Sequence, residues 1–137
     1  MLRFAFAKLG LALIKTKFVP KTIETGKKGE EQAVAFLRSN DYTILHTNWR
    51  HKNLEIDIIA QKGEFLVIFE VKTRKNDVFG APEAFVTRSK QKKIIRATNE
   101  FIKESGTELE VRFDIIAVNN QTGQVRHIER AYYPDML

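Results

Sequence analysis

The alternation of apolar and polar side chains marks two helices and five strands from residue 25 onward. Helical spacing sets in over residues 25–40, where Ala33, Val34 and Leu37 form one apolar stripe. Residues 42–46 read as a first strand, and Asn48, Trp49 and Arg50 as the loop after it. Residues 55–60 and 65–72 are longer apolar runs, and the polar stretch between them predicts a hairpin turn centred on Lys62-Gly63. With that turn, Glu55 faces Glu70 and Asp57 faces Ile68. A loop punctuated by Gly80 and Pro82 covers residues 76–82. Helical periodicity returns over residues 87–104, with Ile94, Ala97, Thr98, Phe101 and Ile102 facing inward and Ser105-Gly106 as the stop. Strands over residues 111–118 and 124–131 complete an α-β-β-β-α-β-β order with no internal repeat.

Residues 1–20 stand apart from this pattern. Leu2, Phe6, Leu9 and Leu13 recur at helical spacing, which predicts an amphipathic segment over residues 1–22 ahead of a domain over residues 23–137. Lys8 interrupts the run and Lys15 and Lys17 follow it, so it is too short to span a bilayer and lacks a cleavage site. Packing on this domain or on a second copy is expected ahead of a membrane surface, and a cytoplasmic location is the accompanying expectation.

The two hairpin runs contain a conflict. Leu66 and Ile68 line one face of residues 65–72, and Phe65, Val67, Phe69 and Val71 the other, so the strand reads as central and covered on both sides. Alternation nevertheless puts Glu55, Asp57, Glu70 and Lys72 on one face. A buried carboxylate costs several kcal/mol or loses its charge unless a cation compensates it. One lysine cannot neutralise three acids. Oxygen-only ligands point to a hard divalent cation, Mg²⁺ or Mn²⁺. Glu30 lies on the apolar stripe of the first helix, beside Gly26 and Gly29, which permit close approach of another element; its position in the first helical turn is a competing explanation. The spacing alone is weak, since an Asp followed a dozen residues later by Glu-x-Lys recurs by chance. Its weight comes from the apolar strands that carry it.

Composition narrows the chemistry. The chain has 137 residues, 43% hydrophobic and 29% charged, which suits one globular domain. The absence of cysteine excludes disulfides, thiolate metal sites and cysteine nucleophiles. A net charge of +6 favours an anionic partner such as nucleic acid. Arg88, Lys90, Lys92, Lys93 and Arg96 crowd the start of the second helix, and Lys72, Arg74 and Lys75 end the acidic strand. A solvated face suffices for Lys92, Lys93 and Arg96, whereas Lys90 lies on the inward stripe. Trp49 reads as packing before base stacking. Arg112 and Asp114 read as a local ion pair.

Gly29-Glu30 with Ala33, Asn48-x-Arg50, Glu55-Ile56-Asp57, Glu70-Val71-Lys72-x-Arg74, Lys90 and Arg112-Phe113-Asp114 together resemble the motifs of the bacterial YraN family. That family is placed in the restriction-endonuclease-like superfamily with its PD-(D/E)xK motif. The resemblance, which runs from about residue 25 to the C-terminus, implies an α/β fold in which a mixed sheet is flanked by helices, similar to archaeal Holliday-junction resolvases. It implies that Asp57 is the motif aspartate, Glu70 and Lys72 the Glu-x-Lys pair, and Glu30 the helix-borne acid. Mg²⁺ or Mn²⁺ would be held by Asp57, Glu70, Glu30 and Glu55. DNA, branched or otherwise structured, would meet Arg50, Arg74, Lys90, Arg88 and Lys93. The expected activity is metal-dependent DNA hydrolysis, and the alternative is a nuclease fold that grips DNA without cutting it. Homodimer pairing through the N-terminal stripe is an expectation by analogy. Two positions depart from the pattern: Leu54 stands where the family usually has glycine, and Ile56 where the superfamily has proline.

Overall fold

β-branched and aromatic side chains are densest in the middle of the chain, and there the sheet has its centre. The computed structural model describes residues 21–75 and 86–134, with side chains from residue 26 onward. In chain order the elements are α1 (Lys21–Ser39), β1 (Thr43–His51), β2 (Leu54–Lys62), β3 (Phe65–Arg74), α2 (Arg88–Ser105), β4 (Glu110–Asn119) and β5 (Val125–Tyr132). The strands form one sheet in the order β1-β2-β3-β4-β5. Only β3 and β4 run parallel, because α2 carries the chain back across one face between them. The expected α/β class and element order are thus present. The expected amphipathic segment before Lys21 and the loop over residues 76–82 lie outside the described residues.

Each helix covers one face. Ala33 and Leu37 of α1 pack with Ile58, Ala60, Val67, Phe69, Ile116 and Val118. On the other face Ile94, Ala97 and Phe101 of α2 pack with Ile59, Leu66, Ile68, Ile115 and Ala117. Leu66, Val67, Ile68 and Phe69 are therefore buried whichever way they point, the environment expected for a central strand. Thr87 caps α2 by accepting from Lys90 N–H, and Gly106 closes it at φ 67°, donating to Ile102 O at 2.9 Å. Among the described residues no helix is long and apolar enough to cross a membrane.

Three boundaries differ from the sequence reading. Helix α1 starts at Lys21, immediately after Pro20, rather than at residue 25. Strand β1 runs on to His51, so Asn48, Trp49 and Arg50 belong to a strand and not to a loop, and Trp49 anchors that extension edge-on against Phe101 of α2. In the β2–β3 hairpin Lys62 pairs with Phe65, which puts the turn at Gly63-Glu64, with Gly63 at φ 57°. The facing pairs shift by two residues, so Ile68 opposes Ile59 rather than Asp57. An even shift preserves faces, so the core assignment survives the error.

Candidate active site

Regular alternation fails in the middle of β2, and the acids gather there. Ile56 and Ile58 should share a face, yet Ile56 packs beneath α2 and Ile58 beneath α1. Strand β1 rotates at the same level: His46 and Trp49 both reach Phe101, although an odd spacing should separate them. The hinge residues are Asn48 and Asp57, flanked by the pairs Thr47–Ile58 and Trp49–Ile56. Asn48 sits at φ 52°, a left-handed conformation that asparagine tolerates better than most residues.

The rotation turns the Asp57 side chain toward β3, where its Oδ2 accepts the Val71 N–H at 2.8 Å. A carboxylate thus replaces a main-chain carbonyl, and the β2–β3 ladder ends one residue earlier at Ile58–Phe69. Beyond that point β3 stays paired with β4 while β2 leaves it, opening a fork. Glu70 lies in the fork, 5% exposed, and its Oε1 receives Lys90 Nζ at 2.8 Å and Lys72 Nζ at 3.5 Å. Asp57 and Glu70 interact directly. Burial, then the charge of Glu70, push the Asp57 carboxyl up from 3.8 to about 7; the Val71 N–H opposes this, and Glu30 and a hydrogen bond with Glu70 add to it.

Glu30 reaches the region from α1. A Cβ at Gly29 would collide with Thr73 Oγ1, so only glycine lets the helix lie this close to β3. Glu30 Oε2 then accepts from Asn48 Nδ2 at 3.1 Å, which ties the helix to the rotated strand. Glu55 is not drawn into the fork. It is exposed and faces Arg50 across the β1–β2 ladder, 3.7 Å away. Arg74, Arg88 and Lys93 are exposed around the fork, Arg74 at the end of β3 and the others in the first turns of α2. Leu54 pairs with His51 and packs against the core beneath α2, so the bulk that replaces a glycine has a place to go.

As the side chains stand, no three His, Asp or Glu groups among the described residues converge tightly enough to enclose an ion. The converging unit is the pair Asp57 and Glu70. Such a pair suits Mg²⁺, which dehydrates reluctantly and commonly takes one or two carboxylates, keeping water or a substrate phosphate in its other positions.

A second buried acid shows what full compensation looks like. Asp114 on β4 is 0% exposed and faces α1, and its Oδ1 accepts the Arg130 N–H at 3.1 Å, again where a ladder is irregular. Here Arg112 donates from Nε and Nη2 at 2.9 to 3.2 Å, and His127 Nε2 lies 2.7 Å away. Burial alone would raise Asp114, but these bonds hold it below the ordinary carboxylate value. Arg112 also donates to Tyr42, so the expected local pair is in fact a network drawn from β4, β5 and the α1–β1 connection. Asp114 is a structural acid, while Asp57 keeps a high affinity for a proton.

Comparison with known proteins came to one family. The profile of the uncharacterised protein family UPF0102 matches residues 29–118, a span that contains the whole fork. A UPF0102 protein of Flavobacterium psychrophilum is 46% identical over 112 residues, covering 80% of this chain and 94% of that protein. Relatives in Bacteroides thetaiotaomicron and Thermodesulfovibrio yellowstonii are 45% and 44% identical, with 83% and 81% of this chain covered and 96% and 97% of theirs.

Proposed function

The chain belongs to the UPF0102 (YraN) family, and we propose that it is a metal-dependent nuclease that hydrolyses DNA phosphodiester bonds. The observation that carries this reading is the Asp57–Glu70 pair at the fork: buried Glu70 takes both Lys72 and Lys90, whereas half-buried Asp57 has no ion pair among the described residues and accepts the Val71 N–H. An acid left without a cation of its own beside a second carboxylate is unfavourable for the fold, and such groups concentrate at functional sites.

Asp57 and Glu70 would hold Mg²⁺ or Mn²⁺, with Glu30 joining directly or through water. The ion supplies Lewis-acid polarisation of the phosphate and acidification of a water molecule. Lys72, projecting from β3 with 23% of its side chain exposed, orients the attacking water. Lys90 is half exposed and its ammonium meets Glu70 at 2.8 Å, at the edge of the fork, where an incoming phosphate would find it. Both cations lie where negative charge develops on the pentacoordinate phosphorus, which is where fixed positive charge lowers the barrier. The surplus of lysine and arginine in the chain serves approach to a polyanion.

One observation favours a second reading, DNA binding without chemistry: Glu30 is engaged by Asn48 and Glu55 by Arg50, which leaves two acids for the ion. Incubation with branched, nicked, flapped and linear DNA in Mn²⁺ separates the two. Cleavage lost in Asp57→Ala and Glu70→Ala, and reduced at least about 100-fold in Lys72→Ala with metal binding kept, is the expected result. Cleavage that survives in both acid variants, or DNA bound by the native chain and never cut, refutes the nuclease.

A further inference from the structure

One concavity adjoins the fork at Lys90, and a second shares a wall with it. One, of about 360 Å³, opens beside Lys90 and Glu55 and runs past Lys93 and Thr87. The other, of about 340 Å³, continues along α2 past Arg96 to Lys103. Asn53 and Leu54, at the tight β1–β2 turn, border both, so together they form one groove between that turn and α2. Each is large enough to take a small-molecule-sized group, within the roughly 300–1,000 Å³ typical of ligand pockets.

The charges on its walls are unequal. Lys52, Lys93 and Arg96 are exposed in the lining and make no ion pair among the described residues. Lys103 lies 3.4 Å from Glu100, and Glu100 also faces His51 at 3.6 Å. The other acid of the lining, Glu55, is matched by Arg50. A solvated basic face would need no such arrangement: Lys92, on the same helix, is exposed and takes no part in the groove. Lys93, Arg96 and Lys103 succeed one another along a single side of α2, and the first and last are separated by about 15 Å of helix rise at about 1.5 Å per residue. That is the axial length of about four stacked nucleotides at roughly 3.4 Å each.

The groove offers no free ring on which a base could stack. His51 is the one ring in its lining, and it is stacked on Trp49 and held by Glu100 and Glu104. Trp49 in turn is half-buried against Phe101. We infer that this groove is the path of a DNA strand leaving the acidic fork, gripped through its phosphates by Lys52, Lys93, Arg96 and Lys103 and without regard to sequence. The inference deepens the nuclease reading, on which its direction from the fork rests.

The test is binding of a short fluorescent duplex to the full chain without divalent metal, followed by anisotropy across a salt series. The comparison is Lys52→Asn/Arg96→Ala/Lys103→Ala; asparagine suits position 52 because the backbone there is at φ 54°. Three lost phosphate contacts should lower the salt slope by about 2.7, so that between about 50 and 200 mM salt the native chain loses roughly 40-fold more affinity than the variant. Scrambling the duplex sequence should leave native binding unchanged. Equal slopes, a strong sequence preference, or no binding by the native chain overturns the groove. The two readings fail separately: unchanged binding by a variant of an active nuclease removes the groove alone, whereas groove-dependent binding with no cleavage in Mn²⁺ removes the nuclease alone.

Discussion

Replacing Asp57 by asparagine should stabilise the metal-free protein at pH 8 and do little at pH 4, the opposite of what loss of a structural carboxylate does. The amide is isosteric, its oxygen can still accept the Val71 N–H, and its NH₂ can donate to Glu70. The sign follows from linkage. A carboxyl whose folded value is raised binds its proton more tightly in the native state, so its favourable contribution is complete below the unfolded value and is lost as pH rises through the folded one. With the native value at about 7 against 3.8, the penalty grows from under about 1 kcal/mol at pH 4 to about 4 kcal/mol at pH 8. In a chain of this length that corresponds to a rise in Tm on the order of 10 °C for Asp57→Asn at pH 8 and about 2 °C at pH 4. Thermal melts in chelator at the two pH values measure it. Added Mg²⁺ should then raise the native Tm and leave the variant's unchanged, since only the native chain gains binding free energy. A variant no more stable than the native chain at pH 8, or equally stabilised at both pH values, would refute the claim that an unmatched, half-buried acid sits at the fork.

Two further substitutions probe the supports of the site. Gly29→Ala should cost about 1–3 kcal/mol through overpacking against Thr73. Adding Thr73→Ala should restore most of that stability in denaturant unfolding, since alanine is the better helix former and the cost lies in the contact alone. Arg112→Ala should destabilise the fold by about 3 kcal/mol by leaving Asp114 buried beside His127 alone. Mn²⁺ affinity measured on the same variant should be unchanged, because Asp114 faces α1 and Glu70 faces α2.

The elements and the two-sided burial of β3 were legible because period and turn chemistry agree along most of the chain. The hairpin turn was misplaced at Lys62-Gly63, but pairing that slips by two residues keeps every side chain on its face. What alternation could not reveal is the rotation at Asp57: the triplet Ile56-Asp57-Ile58 looks the same in a flat strand and in one that changes face. The usable signal is Asn48, a residue tolerant of left-handed backbone that stands opposite Asp57, although its polar surroundings read as a loop. Gly29 was readable as a point of close approach, although its partner Thr73 was not. Asp114 and Glu70 look alike in sequence, each in an apolar strand with a basic residue two positions away. They part company through His127 and Tyr42, 13 and 70 residues distant from Asp114 and Arg112 respectively, and such partners follow only from the fold.

Direct titration of Mn²⁺ into the native chain at pH 8, read by the loss of the free-ion electron paramagnetic resonance signal, bears most closely on the central claim. The account predicts saturable binding that disappears in both Asp57→Asn and Glu70→Gln and weakens as pH falls below about 7, where the Asp57 proton competes with the metal. Absence of binding by the native chain, or undiminished binding by both variants, would contradict it.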